Sequence, residues 1–293
     1  GADNNNAKCL CNLGYIYSKG EFVQKDINKA IHYYSLATNQ NDSYAQFSLG
    51  YIYETSNDDV QDINKAIHYY TLSADQNNPV AQSHLGLIYF NGKFVQQDIK
   101  KAIHYFTLAS NQNDQDALCN LGCIYFTGEF VQRDISKAIH YFSLSEKQNN
   151  AVAKFNLAII YSDNKFMKPN YIKAIYYLKQ SAELKFDRAQ FLLGIYYSEG
   201  KHVKQDFNKS IYYYTLAAIQ NYPKAQFCLF EILFKGINSQ QNINKAIFWL
   251  LESSKNYCKE AYFSLGFFNI LFAWLGMIDF LLPLRVAIFG GTK

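Results

Sequence analysis

Tryptophan is almost missing from this chain: two Trp stand against 25 Tyr and 23 Phe in 293 residues. With so many rings and so few indoles, much of the interior must be filled by Tyr and Phe packing and not by a Leu-rich core. A cysteine framework is missing too. The six cysteines sit at 9, 11, 119, 123, 228 and 258, without the paired CxxC knuckles that hold zinc. Reduced, buried thiols are expected, and Cys119 and Cys123, one helical turn apart, have no nearby His or second Cys pair to complete a metal site. The formal charge of +4 reads as evenly spread, which excludes the clustered Lys/Arg footprint of a nucleic-acid binder. No basic and apolar leader follows Gly1, so the cytoplasm is the expected compartment. Nor is there a phosphate loop, a Gly-x-Ser-x-Gly elbow or a kinase catalytic motif, and the expectation is a non-enzyme with no catalytic residue and no cofactor.

What the chain has in abundance is repetition. Residues 26–34 read DINKAIHYY, and residues 62–70 read DINKAIHYY again, 36 positions on. Lys29-Ala30-Ile31 recurs at Lys65, Lys101, Lys137, Lys173, Lys209 and Lys245, with Ser210 as the one substitution. Leu13-Gly14 keeps the same beat at Leu49, Leu85, Leu121, Leu157, Leu193, Leu229 and Leu265, where Ala158 and Phe230 replace two of the glycines. A period of this length marks stacked supersecondary units.

At 100° per residue, Ala45, Leu49, Ile52 and Tyr53 share one stripe, which predicts a first helix, helix A. Gly20, Gly92, Gly128, Gly200 and Gly236 lie just beyond its end, where a left-handed residue stops a helix; Ser56 and Asn164 stand there in two units. Asp26, Asp62, Asp98, Asp134 and Asp206, with Asn170 and Asn242, are placed to cap a second helix, helix B. Its stripe Ile27, Ala30, Ile31, Tyr34, Ala37 and Thr38 turns toward helix A. Asn41, Asn77, Asn113, Asn149 and Asn221 then close helix B, because Asn tolerates the left-handed conformation. Pro79 and Pro223 open the next helix A, where a missing N–H costs nothing. Such a hairpin cannot bury both faces alone. The predicted fold is therefore all-α, a right-handed α-solenoid (superhelix) of stacked helix-turn-helix repeats of 36 residues. The array is expected over residues 1–260, seven full repeats, and it enters mid-repeat: Gly1–Ala7 aligns with Ser73–Pro79, the end of a helix B, which implies a missing upstream part.

The pattern Ala45-x-x-x-Leu49-Gly50-x-x-Tyr53, a turn such as Gly20-Glu21-Phe22-Val23, and Asp26-x-x-Lys29-Ala30 with Tyr33-Tyr34 resembles the Sel-one-like repeat, the 36-residue relative of the tetratricopeptide repeat. The resemblance covers roughly residues 8–258. It departs at Ser56, Ala158, Asn164, Lys185, Ser210, Phe230, Leu233 and after Gly266. It implies an adaptor or scaffold: members of that family serve in endoplasmic-reticulum-associated degradation, chitin synthase activation, bacterial virulence and signalling, and some carry a kinase or other domain beside the repeats. Its cysteine-rich bacterial members staple each hairpin with a disulfide, a spacing this sequence lacks.

The histidines His32, His68, His104 and His140 fall about 140° from Ile27 on the helix B wheel, a solvent-facing row offering one ring per unit and no converging ligands. Tyr176, Tyr212 and Phe248 take that position later. Helix A carries the candidate partner-binding residues Phe47, Tyr51, Phe90, Phe126, Phe155, Phe191, Phe227 and Phe234, which either fill joints between units or line a concave groove for a protein partner. The expected function is a non-enzymatic protein-protein interaction scaffold or adaptor that binds on that face. The alternative is the regulatory repeat region of a larger signalling enzyme, such as a protein kinase, with its catalytic domain upstream. Residues 261–293 begin as an eighth helix A and diverge into a hydrophobic tail. AYFSLGFFNILFAWLGMI, residues 261–278, runs without a charge, so a membrane association through residues 261–289 is weighed against a hydrophobic cap.

Overall fold

Capping fixes where the helices begin and end. The Asp26, Asp62, Asp98, Asp134 and Asp206 carboxylates accept the N–H of the lysine three residues on at 2.9–3.0 Å, and Asn170 and Asn242 do the same at 3.0 Å. At the other end of helix B, Asn41, Asn77, Asn113, Asn149 and Asn221 have φ of 60–63°, with Lys185 and Tyr257 at the same place in the remaining hairpins. Gly20, Gly92, Gly128, Gly200 and Gly236 stop helix A at positive φ, while Ser56 ends its helix in an extended conformation.

The computed structural model describes residues 2–56, 60–237 and 242–274, with side chains between residues 6 and 266. It falls into two compact units, Gly1–Ala153 and Lys154–Lys293. The first holds α1 (Ala2–Lys19), α2 (Ile27–Thr38), α3 (Ser43–Thr55), α4 (Ile63–Asp75), α5 (Pro79–Asn91), α6 (Ile99–Ser110), α7 (Gln115–Thr127) and α8 (Ile135–Glu146). Helix α9 (Ala151–Ser162) carries the boundary. The second unit continues with α10 (Tyr171–Glu183), α11 (Asp187–Glu199), α12 (Phe207–Ala218), α13 (Pro223–Lys235), α14 (Ile243–Lys255) and α15 (Lys259–Trp274). Odd-numbered helices are helix A and even-numbered ones helix B; no strand occurs among the described residues. Helix α1 runs unbroken from Ala2, whereas the aligned segment Ser73–Pro79 turns at Asn77. Pro79 bars the preceding residue from helix there, and Ala7 imposes no such restriction.

Each hairpin closes on one close approach. Gly14, Gly50, Gly86 and Gly122 lie under the rings of Tyr34, Tyr70, Phe106 and Phe142, and a Cβ at any of them would sit 2.6–2.7 Å from a ring carbon. In the second unit Gly194 lies under Tyr214 in the same way. Its two neighbours differ: Ala158 belongs with Leu178 in one core cluster and Phe230 with Leu250 in another. Where helix A gains volume, helix B has given up its ring.

A buried polar ladder fixes the stacking. Gln82 donates to Ala74 O of the preceding helix B at 3.1 Å and accepts from Gln112, just past the end of its own helix B, at 3.0 Å. Gln190 and Gln226 repeat the arrangement in the second unit, with Gln220 and Asn256 as donors. The recurring lysine of helix B serves twice: in the first unit its Nζ lies 3.3–3.9 Å from the capping Asp and 4.9–5.2 Å from the ring of Tyr17, Tyr53, Tyr89 or Tyr125. Those rings stack on Tyr33, Tyr69, Tyr105 and Tyr141 at 5.6–5.9 Å.

Candidate functional site

Residues of α1, α2 and α3 in the first unit line a cavity. It encloses about 740 Å³ between α1 and α3, lined by the rings of Tyr15, Tyr34, Tyr44, Phe47 and Tyr51, the hydroxyls of Ser18, Ser48 and Thr55, and the ammonium groups of Lys19 and Lys25. Tyr44 and Tyr51 stand 52% and 47% exposed, so their rings are available to a ligand. Burial pushes the Tyr34 and Tyr44 phenols above their ordinary values, which keeps them neutral donors and acceptors at physiological pH.

Beside the cavity, Phe47 meets a built polar cluster. The Tyr70 hydroxyl donates to Glu54 Oε2 at 2.6 Å, and His84 Nδ1 lies 3.1 Å from the same oxygen. Burial alone would raise the Glu54 carboxyl, but the hydrogen bonds from His84 and Tyr70 outweigh it and hold the group below its usual range. Phe47 packs edge-on against the His84 ring at 5.4 Å and Tyr51 does so at 6.0 Å.

The eight candidate residues do not share one role. Tyr51 is exposed, while Phe47, Phe90, Phe126, Phe155, Phe191, Phe227 and Phe234 are half-buried. Phe90 meets Phe130 at 5.7 Å and Phe126 meets Phe142 at 6.4 Å. In the second unit Phe155 lies 5.2 Å from Phe186 and Phe191 lies 4.9 Å from Tyr222, while Phe227 and Phe234 flank Phe230. Phe186 and Tyr222 occupy N-cap positions without a side-chain cap bond, where Asp42, Asn78 and Asp114 cap helices of the first unit. The second unit thus exchanges cap hydrogen bonds for ring contacts. Tyr15 and Tyr44, which sequence reasoning missed, line the cavity with Phe47 and Tyr51; their signal is a register position shared by Tyr15 and Tyr51, 36 residues apart.

His32, His68, His104 and His140 are exposed, each edge-on to the adjacent tyrosine at 5.2–5.5 Å. No group of three or more His, Cys, Asp and Glu able to hold a metal occurs among the described residues. All six cysteines are free; Cys9 is exposed, against the expectation of buried thiols, because its position on α1 turns outward. Burial, then the neighbouring Asp42 carboxylate, pushes the Cys11 thiol up to about 12. Burial likewise raises Cys228 to about 11. Cys119 donates a hydrogen bond to Cys123, which lowers the latter and raises the former.

The charge is not evenly spread, contrary to the reading of the whole-chain total. Residues 1–153 hold eleven Lys and Arg against fifteen Asp and Glu, a balance of −4, and residues 154–293 hold seventeen against nine, a balance of +8. The two halves cancel in the sum. No described helix is long and apolar enough to cross a membrane, and the larger part of the 261–289 tail lies outside the described residues.

Antiparallel helix pairs with recurring caps, glycine joints and a Gln ladder define an α-solenoid built from one repeated hairpin. The profile of the Sel1 repeat family matches residues 7–42, 43–78, 79–114, 115–150, 151–186, 187–222 and 223–257, and the chain belongs to that family. It is similar to a protective antigen present in uropathogenic Escherichia coli strains, described as displaying an SLR fold, at 29% identity and TM-score 0.76 over 87% of this chain and 54% of that one. It is also similar to a Sel1 repeat protein from Oxalobacter formigenes, at 26% identity and TM-score 0.77 over 89% of this chain and 75% of that one. This chain spans about half the length of the first of these. No protein of curated function matches it. Sel1 repeat proteins are typically protein-interaction scaffolds, and the fold is a non-catalytic one.

Proposed function

We propose that this chain is a protein-interaction scaffold that takes a segment of a partner protein on the helix A side of its first unit. The observation that carries the reading is the cavity of about 740 Å³ lined by Tyr15, Tyr44, Phe47 and Tyr51. Tyr supplies large, rigid contact area with a polar tip, the composition that dominates energetically important contacts in protein interfaces. The hydroxyls of Ser18, Ser48 and Thr55 offer hydrogen bonds to an extended backbone. Lys19 and Lys25 at the edge favour a partner segment that brings a carboxylate beside its apolar anchor. In the same unit helix B presents Asn28, Lys29 and His32 to solvent, with little apolar area to bury.

Selection from a random peptide library on the full chain tests this. Selected peptides should share an apolar or aromatic anchor next to an acidic residue, and Tyr51→Ser or Tyr44→Ser should weaken them about tenfold or more, the loss of an interface hot spot. His68→Ala and His104→Ala should leave binding unchanged. Peptides insensitive to Tyr44 and Tyr51 and abolished by the histidine changes would place the binding face on helix B.

A further inference from the structure

The row of outward positions on helix B changes character between the units. In the first it holds His32, His68, His104 and His140; in the second it holds Tyr176, Tyr212 and Phe248, which are 57%, 59% and 53% exposed. Ile172, one turn before Tyr176 on α10, is 86% exposed, and Ile219, the C-cap just past the end of α12, is 64% exposed. These residues lie on, or for Ile219 at the end of, the helices B of three successive hairpins. Their rings are held in place: Tyr176, Tyr212 and Phe248 stand edge-on to Tyr177, Tyr213 and Trp249 at 5.4, 5.2 and 5.0 Å, and those inner rings pack on the core.

The charge around the row changes with it. Every helix B of the first unit pairs its lysine with an Asp cap. In the second, Asn170 and Asn242 replace that Asp, so Lys173 and Lys245, each three residues before a ring of the row, have no carboxylate at the cap, while Lys209 retains Asp206; Lys173 Nζ lies 5.3 Å from the Tyr161 ring. Lys179 adds another exposed ammonium on α10. The acidic residues on these helices are Glu183 and Glu252, and Glu252 is held by Lys255 at 2.6 Å. The unit as a whole carries +8.

We propose that this face of α10, α12 and α14 docks on an anionic lipid surface. Tyr, Phe and Ile enter the headgroup and upper acyl region, where amphipathic rings are most stable, while the lysines stay at headgroup level and attract lipid phosphate and carboxylate. Lysine as the flanking cation separates this surface from a protein-binding one, since protein interfaces are enriched in Arg and depleted in Lys.

Vesicle flotation of the full chain decides the matter. Binding is compared on vesicles of phosphatidylcholine alone and of phosphatidylcholine with about one third phosphatidylserine, at low and high salt. The chain should float with the anionic vesicles only, and salt should release it. The variant Tyr176→Ser/Tyr212→Ser/Phe248→Ser should lose at least tenfold in partitioning with unchanged circular dichroism. Lys173→Glu/Lys245→Glu, which leaves every ring in place, should abolish the preference for anionic lipid. Retention of wild-type flotation by both variants would assign binding to the apolar C-terminal segment and overturn the proposal. Failure of the wild type to float overturns it too, and so does a lipid-free dimer that the ring changes dissolve, since the face then binds a second copy of the chain.

Discussion

In the first unit every hairpin sets a glycine of helix A beneath a ring of helix B, as Gly86 lies beneath Phe106; among the described residues of the second, only Gly194 and Tyr214 do so. Ala158 and Phe230 take the glycine position of the other two hairpins, and Leu178 and Leu250 replace the ring. The two units reach the same architecture by two distributions of volume across one contact. The Ala158–Leu178 pair keeps the summed volume of a glycine and a ring, in keeping with cores that tolerate exchange when total volume is kept, whereas the Phe230–Leu250 pair exceeds it and gathers Phe227 and Phe234 around it. The glycine is therefore half of a two-residue element whose other half lies 20 positions on.

The largest effect expected from breaking this comparison is loss of a ring. Phe106→Ala should cost about 3–5 kcal/mol in urea unfolding and Leu178→Ala about 2–5 kcal/mol, with the greater loss at Phe106; a greater loss at Leu178 would mean that the ring joints are not the tighter ones. Next comes the glycine itself. Gly86→Ala should destabilise by about 1–3 kcal/mol through overpacking, and adding Phe106→Leu should recover part of that, with a coupling of about 0.5–3 kcal/mol in a double-mutant cycle. Strict additivity would sever the link between the two positions.

Smaller changes test the ends of the helices. Asp98→Ala should cost about 1 kcal/mol, whereas Asp98→Asn should change stability little, because Asn170 and Asn242 already make the same bond. At the left-handed positions Lys185→Asn should stabilise by up to about 1 kcal/mol, since Lys185 sits at φ 62° without the tolerance of Asn. The smallest effect concerns acid. The folded-state value of Glu54 is depressed, so its contribution is complete above the ordinary glutamate value of about 4.3 and is lost as pH falls through the depressed one. The stability of wild type relative to Glu54→Gln should shrink on acidification, and a difference that grows would show that the His84 and Tyr70 bonds do not govern this carboxyl.

The caps were legible in the sequence because they depend on local chemistry: an Asp three residues before a lysine, or an Asn or Gly at a helix end, needs no knowledge of what lies across the interface. The fates of Phe155 and Phe191 were not. A helical wheel gives a direction for each ring, but Phe186 and Tyr222 cover them from the start of the next helix A, and that contact exists only once hairpins stack. The glycine was visible as part of Leu-Gly and the ring as part of the helix B stripe, yet their contact emerges only when the substitutions at Ala158 and Phe230 are read together with Leu178 and Leu250. The opposite charges of the two units were hidden by summation.

Hydrogen exchange measured on the full chain with a library-selected peptide tests the central claim, that partners dock on helix A of the first unit, most directly. Binding should slow exchange in α1 and α3, around Tyr15, Tyr44 and Tyr51, and leave α2 and α4 with their exposed His32 and His68 unchanged. Protection confined to α2 and α4, with α1 and α3 exchanging as in the free chain, would contradict the account.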